Sequence, residues 1–104
     1  MKKNMRKPRN MDMYRAILTL KTLDECINFF DDLCSATELK AMEQRFQVAV
    51  MLSKGMIYND ILEQTGASSA TISRVNRSLQ FGADGYDVVF DRLEKLKKED
   101  SEEQ

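Results

Sequence analysis

The stretch Tyr58–Arg77 reads YNDILEQTGASSATISRVNR and concentrates hydroxyl and guanidinium side chains where few other charges occur. Between Gln64 and Ala83 the only charged residues are Arg74 and Arg77, and six serines and threonines lie within Thr65–Ser78. Hydroxyls bond base edges or phosphates, an alanine methyl can touch a thymine methyl, and a guanidinium pairs with phosphate or guanine. Ser68, Ser69, Ala70, Ser73, Arg74 and Arg77 are therefore candidate DNA contacts. Catalysis has far less to work with. There is no histidine, which removes the commonest general base. The internal adjacent acid pairs, Asp24–Glu25 and Asp31–Asp32, are neighbours on a helix and do not face each other. No glycine-rich phosphate loop occurs, and neither an enzyme, a metal nor a cofactor is expected.

Such side chains read DNA only if two helices meet steeply across a short turn, with the second presenting its polar face. Gly66 supplies a residue that tolerates positive φ. Ile61 is expected to be buried before the turn, and Ile72, Val75 and Leu79 after it, with the small Ala67 where the helices cross. The outward face then carries the candidate contacts, and the helix N-terminus favours phosphate. An ordinary helical hairpin with a polar surface is the plainer alternative. Serine and threonine are mediocre helix formers, so their density here is costly for a purely structural helix.

The rest of the chain must frame that hairpin. The 3.6-residue period recurs throughout and two-residue alternation does not persist, which predicts an all-α chain of six short helices. The first spans about Asp12–Lys21. The second follows a capping box at Thr22 and Glu25, with an apolar stripe of Leu23, Cys26, Ile27, Phe30, Leu33 and Cys34. A second box at Ser35 and Glu38 opens a long third helix to about Ser53, with Leu39, Met42, Phe46, Ala49 and Val50 on one stripe; Lys54 and Gly55 close it. The fourth helix spans about Tyr58–Thr65, the fifth Ser69–Gln80 and the sixth Asp84–Lys97, with Tyr86, Val89, Phe90, Leu93 and Leu96 apolar. Residues 1–11 are expected as a flexible basic arm, 12–97 as a single domain with the helix-turn-helix at 58–80, and 98–104 as an acidic disordered tail. Six short helices cannot all surround one small core, so the strongly apolar first two are expected to cover a second copy as well as their own chain.

Composition agrees. The chain has 104 residues, 42% of them hydrophobic, so one compact domain can bury a core. Net charge is −1, but the distribution is uneven: Lys2, Lys3, Arg6, Lys7 and Arg9 lead, and Glu99, Asp100, Glu102 and Glu103 trail. The longest apolar run, Val48–Leu52, is far short of the ~20 residues that span a bilayer, and a soluble cytoplasmic protein with no membrane partner is expected. Cys26 and Cys34 would lie ~12 Å apart along one helix, too far for a disulfide, and reduced thiols fit that compartment. Seven methionines leave a helical protein-interaction or dimerisation module, without direct DNA readout, as the rival function.

The stretches FFDDLCSATELKAMEQRFQVAVMLSKG and TGASSATISRVNRSL resemble the tryptophan repressor (TrpR) family, and within it the YerC/YecD-type branch, over about Leu23–Leu93. The resemblance implies an intertwined all-α homodimer. Two helix-turn-helix heads would enter successive major grooves of a palindromic operator, with half-sites ~34–36 Å apart. It also implies that Thr71 sits on a phosphate. In tryptophan-binding members the indole lies between two arginines, which match Arg45 and Arg74; the carboxylate meets a serine, which matches Ser78; and carbonyls around Asp32–Ser35 take the amino group. Here Val75 follows Arg74 where those members have glycine, and the linker after Gly55 is one residue shorter. A valine fills the space an indole needs, so tryptophan is not the expected effector, and a smaller corepressor stays open. Arg45 has a second reading, as a surface residue pairing with Glu43 or Asp60. The expected function is a homodimeric DNA-binding regulator, a repressor, with double-stranded DNA and itself as partners.

Overall fold

The computed structural model describes residues 9–103. Residues 1–8 of the expected basic arm lie outside the described residues, as does Gln104 at the end of the expected tail. Six helices appear among the described residues, and no strand: α1 Met11–Leu18, α2 Leu23–Leu33, α3 Ala36–Ser53, α4 Tyr58–Thr65, α5 Ser69–Phe81 and α6 Gly85–Glu103. The chain divides into two compact units, Met1–Glu43 and Gln44–Gln104, where the sequence suggests one domain, and α3 runs through the boundary.

In the first unit the helices are set by local hydrogen bonds. Asn10, not foreseen as a cap, accepts the Asp12 N–H at 2.9 Å and starts α1 one residue early. The helix ends at Leu18 rather than Lys21, because Thr19 and Leu20 turn tightly onto the carbonyls of Ala16 and Ile17. The Ser35–Glu38 box forms reciprocally: Ser35 Oγ accepts the Glu38 N–H at 3.1 Å and the Glu38 carboxylate accepts the Ser35 N–H at 2.8 Å. The backbone N–H of Ser35, and after it the Ser35 hydroxyl, hold the Glu38 carboxyl below its ordinary pKa. The Thr22–Glu25 box is displaced by one residue, since the Glu25 carboxylate takes the N–H of Lys21 instead of Thr22. Neither α1 nor α2 contains a buried residue.

The second unit is organised by burial. Val48 and Ala49 of α3, Ile61 of α4, Ala67 of the turn, and Ile72 and Val75 of α5 form the core. Met51, Leu52, Met56, Leu62, Leu79, Tyr86 and Phe90 pack against it. Phe90 ties α6 into this group, its ring 5.7 Å from Tyr86 and 5.9 Å from Phe46. Fully burying one such aliphatic side chain is worth about 1.5–3 kcal/mol. The buried face of α3 includes Val48, which the expected stripe omits; Met42 and Phe46, which that stripe includes, are exposed. The run Val48–Leu52 is apolar at every position, so periodicity cannot choose its inner face. Gly55, at φ 81°, closes α3 with the paired bonds Met56 N–H to Met51 O and Gly55 N–H to Leu52 O.

The sixth helix differs most from expectation. Asp84 adopts φ 65°, so the helix begins at Gly85. It runs on to Glu103, where a tail without structure was expected after Lys97. After Gly85 the sequence has neither glycine nor proline and is rich in glutamate and lysine, which propagate helix readily. An exposed Asp91–Lys95 pair at 3.2 Å adds an i,i+4 contact along the same face. Among the described residues no helix is long and apolar enough to cross a membrane.

Candidate nucleic-acid interface

α4 needs both its ends and its buried face to form. Ile57 precedes it without any side-chain cap, and Ile61 anchors it in the core. Gly66 ends it in the left-handed region at φ 70°, its N–H on the Leu62 carbonyl. A Cβ there would meet nothing within 4 Å, so the demand for glycine is one of backbone angle, not of space. Thr65 reinforces the turn: its hydroxyl donates to Ile61 O at 2.7 Å and accepts the Ala67 N–H at 3.1 Å. Ala67 is buried, as a small residue at the crossing should be.

α5 begins at an N-cap, Ser68, whose Oγ accepts the Thr71 N–H at 3.1 Å and also bonds the Thr71 hydroxyl. Ile72 and Val75 then face the core, 0% and 2% exposed, and Leu79 is half-buried. The opposite face is open: Ser68, Ser69, Ala70, Ser73, Arg74 and Arg77 are all exposed, and Thr71 is half-buried. Ala70, Arg74 and Arg77 recur at i, i+4 and i+7 and so lie on one line down the helix. No ion pair or hydrogen bond within the chain engages the side chain of Arg74 or Arg77 among the described residues. Two unpaired guanidiniums on an exposed helix face, below a start of small hydroxylated residues, suit an anionic partner.

The residues matched to an effector site divide. Arg74 and Ser78 line an open depression with Arg77, Phe81 and Gly82. Val75 is not on that surface but in the core. Arg45 is exposed on α3, forms no salt bridge with Asp60, and is not among the residues lining the depression. Phe81 was missed by the sequence reading. It continues the line of Arg74 and Arg77, is 75% exposed, and adds an aromatic wall beside two cations. Its position four residues after Arg77 is the signal that could have marked it. Gly82, next to it, has no room for a Cβ, which would run into the Ser78 carbonyl.

These features define an all-α protein with a helix-turn-helix whose second helix is free on its polar side. The sequence model of the family described as Trp repressor protein matches residues 10–94, extending further toward the N-terminus than the resemblance over Leu23–Leu93. The chain belongs to the Trp repressor family, whose members are regulators rather than enzymes. "Uncharacterized protein YerC" of Bacillus subtilis (strain 168) is 47% identical over 89 residues, covering 86% of each chain. Two solved structures share the fold. A TrpR-like protein from Eubacterium eligens ATCC 27750 is 58% identical with a TM-score of 0.75, over 78% of this chain and 84% of that one. A protein described as a putative Trp repressor from Staphylococcus aureus is 45% identical with a TM-score of 0.80, over 90% and 94% respectively.

Proposed function

We propose that this protein is a sequence-specific DNA-binding transcriptional repressor that grips a palindromic operator as a homodimer, laying α5 of each copy in the major groove. The observation that carries the reading is the turn at Gly66. It buries Ile61, Ile72 and Val75 on one side and leaves Ser69, Ala70, Ser73, Arg74 and Arg77 exposed on the other. Small residues at the start of α5 allow close approach to base edges, and the two arginines supply base or phosphate contacts. Family membership supports a regulator, and the apolar faces of α1 and α2 support a second copy as the cover they lack.

The test is a gel shift against DNA selected from a random pool. Affinity should fall steeply as salt rises, since each phosphate contact releases counterions. Arg74→Ala and Arg77→Ala should each weaken binding while leaving cooperative melting intact. Retention of a protein partner that salt does not affect, with no selected DNA, overturns the proposal in favour of an interaction module. Tryptophan is not the effector in this reading, because Val75 occupies the core where the tryptophan-binding members have glycine. Micromolar binding of tryptophan by calorimetry overturns that part alone.

A further inference from the structure

The caps and turns described above join residues no more than five positions apart. One side-chain hydrogen bond of the second unit does not: the Gln44 amide Nε2 donates to the carbonyl of Thr65 at 3.1 Å, half-buried, across 21 positions of sequence. That carbonyl belongs to the last residue of α4, where helix carbonyls have no partner within their own helix. Thr65 is thereby held on several sides. Its hydroxyl bonds Ile61 O and the Ala67 N–H, its carbonyl bonds Gln44, and the next residue is the left-handed Gly66. Gln44 is the first residue of the second unit and lies within α3, the long helix that passes through the boundary.

We infer that Gln44 is a positioning residue for DNA recognition: it ties the α4–α5 turn to α3 and so fixes the angle at which α5 is presented. The inference rests on the DNA-binding reading above and extends it to a residue outside the helix-turn-helix. The physical reason is leverage. α5 spans 13 residues, ~20 Å of helix, and pivots at a turn only three residues long between Thr65 and Ser69. Apolar packing of Ile72 and Val75 resists separation of the helices but is not directional. A hydrogen bond to the turn's own carbonyl is directional, and a small rotation at the turn becomes a large displacement at Arg77. Misplacement of a recognition side chain costs base contacts before it costs phosphate contacts, which tolerate more movement.

Gln44→Met keeps length and helix propensity and removes the donor; Gln44→Glu keeps shape and sets a carboxylate against the carbonyl. Affinity for selected DNA should fall roughly two- to tenfold in Gln44→Met and further in Gln44→Glu. In Gln44→Met, which leaves the charge unchanged, affinity for random DNA and the slope of affinity against salt should match the wild type. An equal fall in affinity for selected and for random DNA would make Gln44 a phosphate contact and overturn the inference. Unchanged affinity for selected DNA would overturn it equally. Amide hydrogen exchange, read without DNA, separates this from failure of the function itself. Ala67 should exchange faster in Gln44→Met while Val50 does not. No local change there removes the tie whatever the DNA assay gives, whereas faster exchange in a protein that selects no DNA leaves the tie standing and refutes its role in recognition.

Discussion

The two units are stabilised by opposite means. In Met1–Glu43 the helices are well marked locally, with caps at Asn10, Thr22 and Ser35, yet α1 and α2 bury nothing. Leu18 and Leu23 are 83% and 76% exposed. In Gln44–Gln104 α4 starts with no side-chain cap at all, yet its one buried residue, Ile61, is completely enclosed. Helices of 8 and 11 residues, the lengths of α1 and α2, are marginal in water when isolated. Caps contribute about 1 kcal/mol each, which does not offset the ordering of so short a segment. The second unit encloses a core of its own, while α1 and α2 enclose none.

The largest expected effect tests that difference. Ile27 lies on the exposed apolar face of α2. Ile27→Glu should cost several kcal/mol of association if a second copy covers it, because a charge would be buried without a partner. Sedimentation should then give a monomer where the wild type gives a dimer. A variant that sediments like the wild type would leave that face in water and remove the contrast between the units. In the second unit, Ile72→Ala should lower stability by about 2–5 kcal/mol, by lost burial plus the cavity left behind. The check is urea unfolding of both proteins at equal concentration, and a loss near zero would mean that Ile72 is not enclosed.

Gly66 offers a smaller and more selective test. Nothing crowds the position, so the cost of Gly66→Ala is that of the left-handed backbone alone, about 1–2 kcal/mol. Gly66→Asn should cost less, because asparagine visits that region more readily. Equal losses for the two variants would point to a clash rather than to backbone angle.

The same contrast explains what the sequence disclosed. Punctuation was readable: Gly55 and Gly66 bracket α4, whose limits at Tyr58 and Thr65 agree with the reading. Single-sided periodicity was readable too, as for Ile61, Ile72 and Val75. Where apolar residues run consecutively the inner face was not legible, so Val48 was passed over. The continuation of α6 was hidden by charge, since an acidic, lysine-rich stretch reads equally as exposed helix and as tail. The outward residues of α5 follow from its inward ones, but Gln44 could not be foreseen. Its partner lies 21 residues away, and no local pattern marks a bond of that span.

The smallest expected effect probes the local side of the comparison. The Glu38 carboxyl is held below its ordinary pKa by the N–H and hydroxyl of Ser35, and it is fully exposed. A depressed folded value means that the unfolded chain binds its proton first as pH falls. The stabilisation is therefore complete above the ordinary glutamate value and fades as pH drops through the lowered folded one. Glu38→Gln, which keeps a hydrogen-bond acceptor but loses the charge, should lower the melting temperature slightly at neutral pH. The difference from wild type should shrink in acid and vanish once Glu38 is protonated in the folded chain. A difference that persists unchanged into acid would assign the effect to side-chain shape, and the start of α3 would then owe nothing to the charge of its capping box.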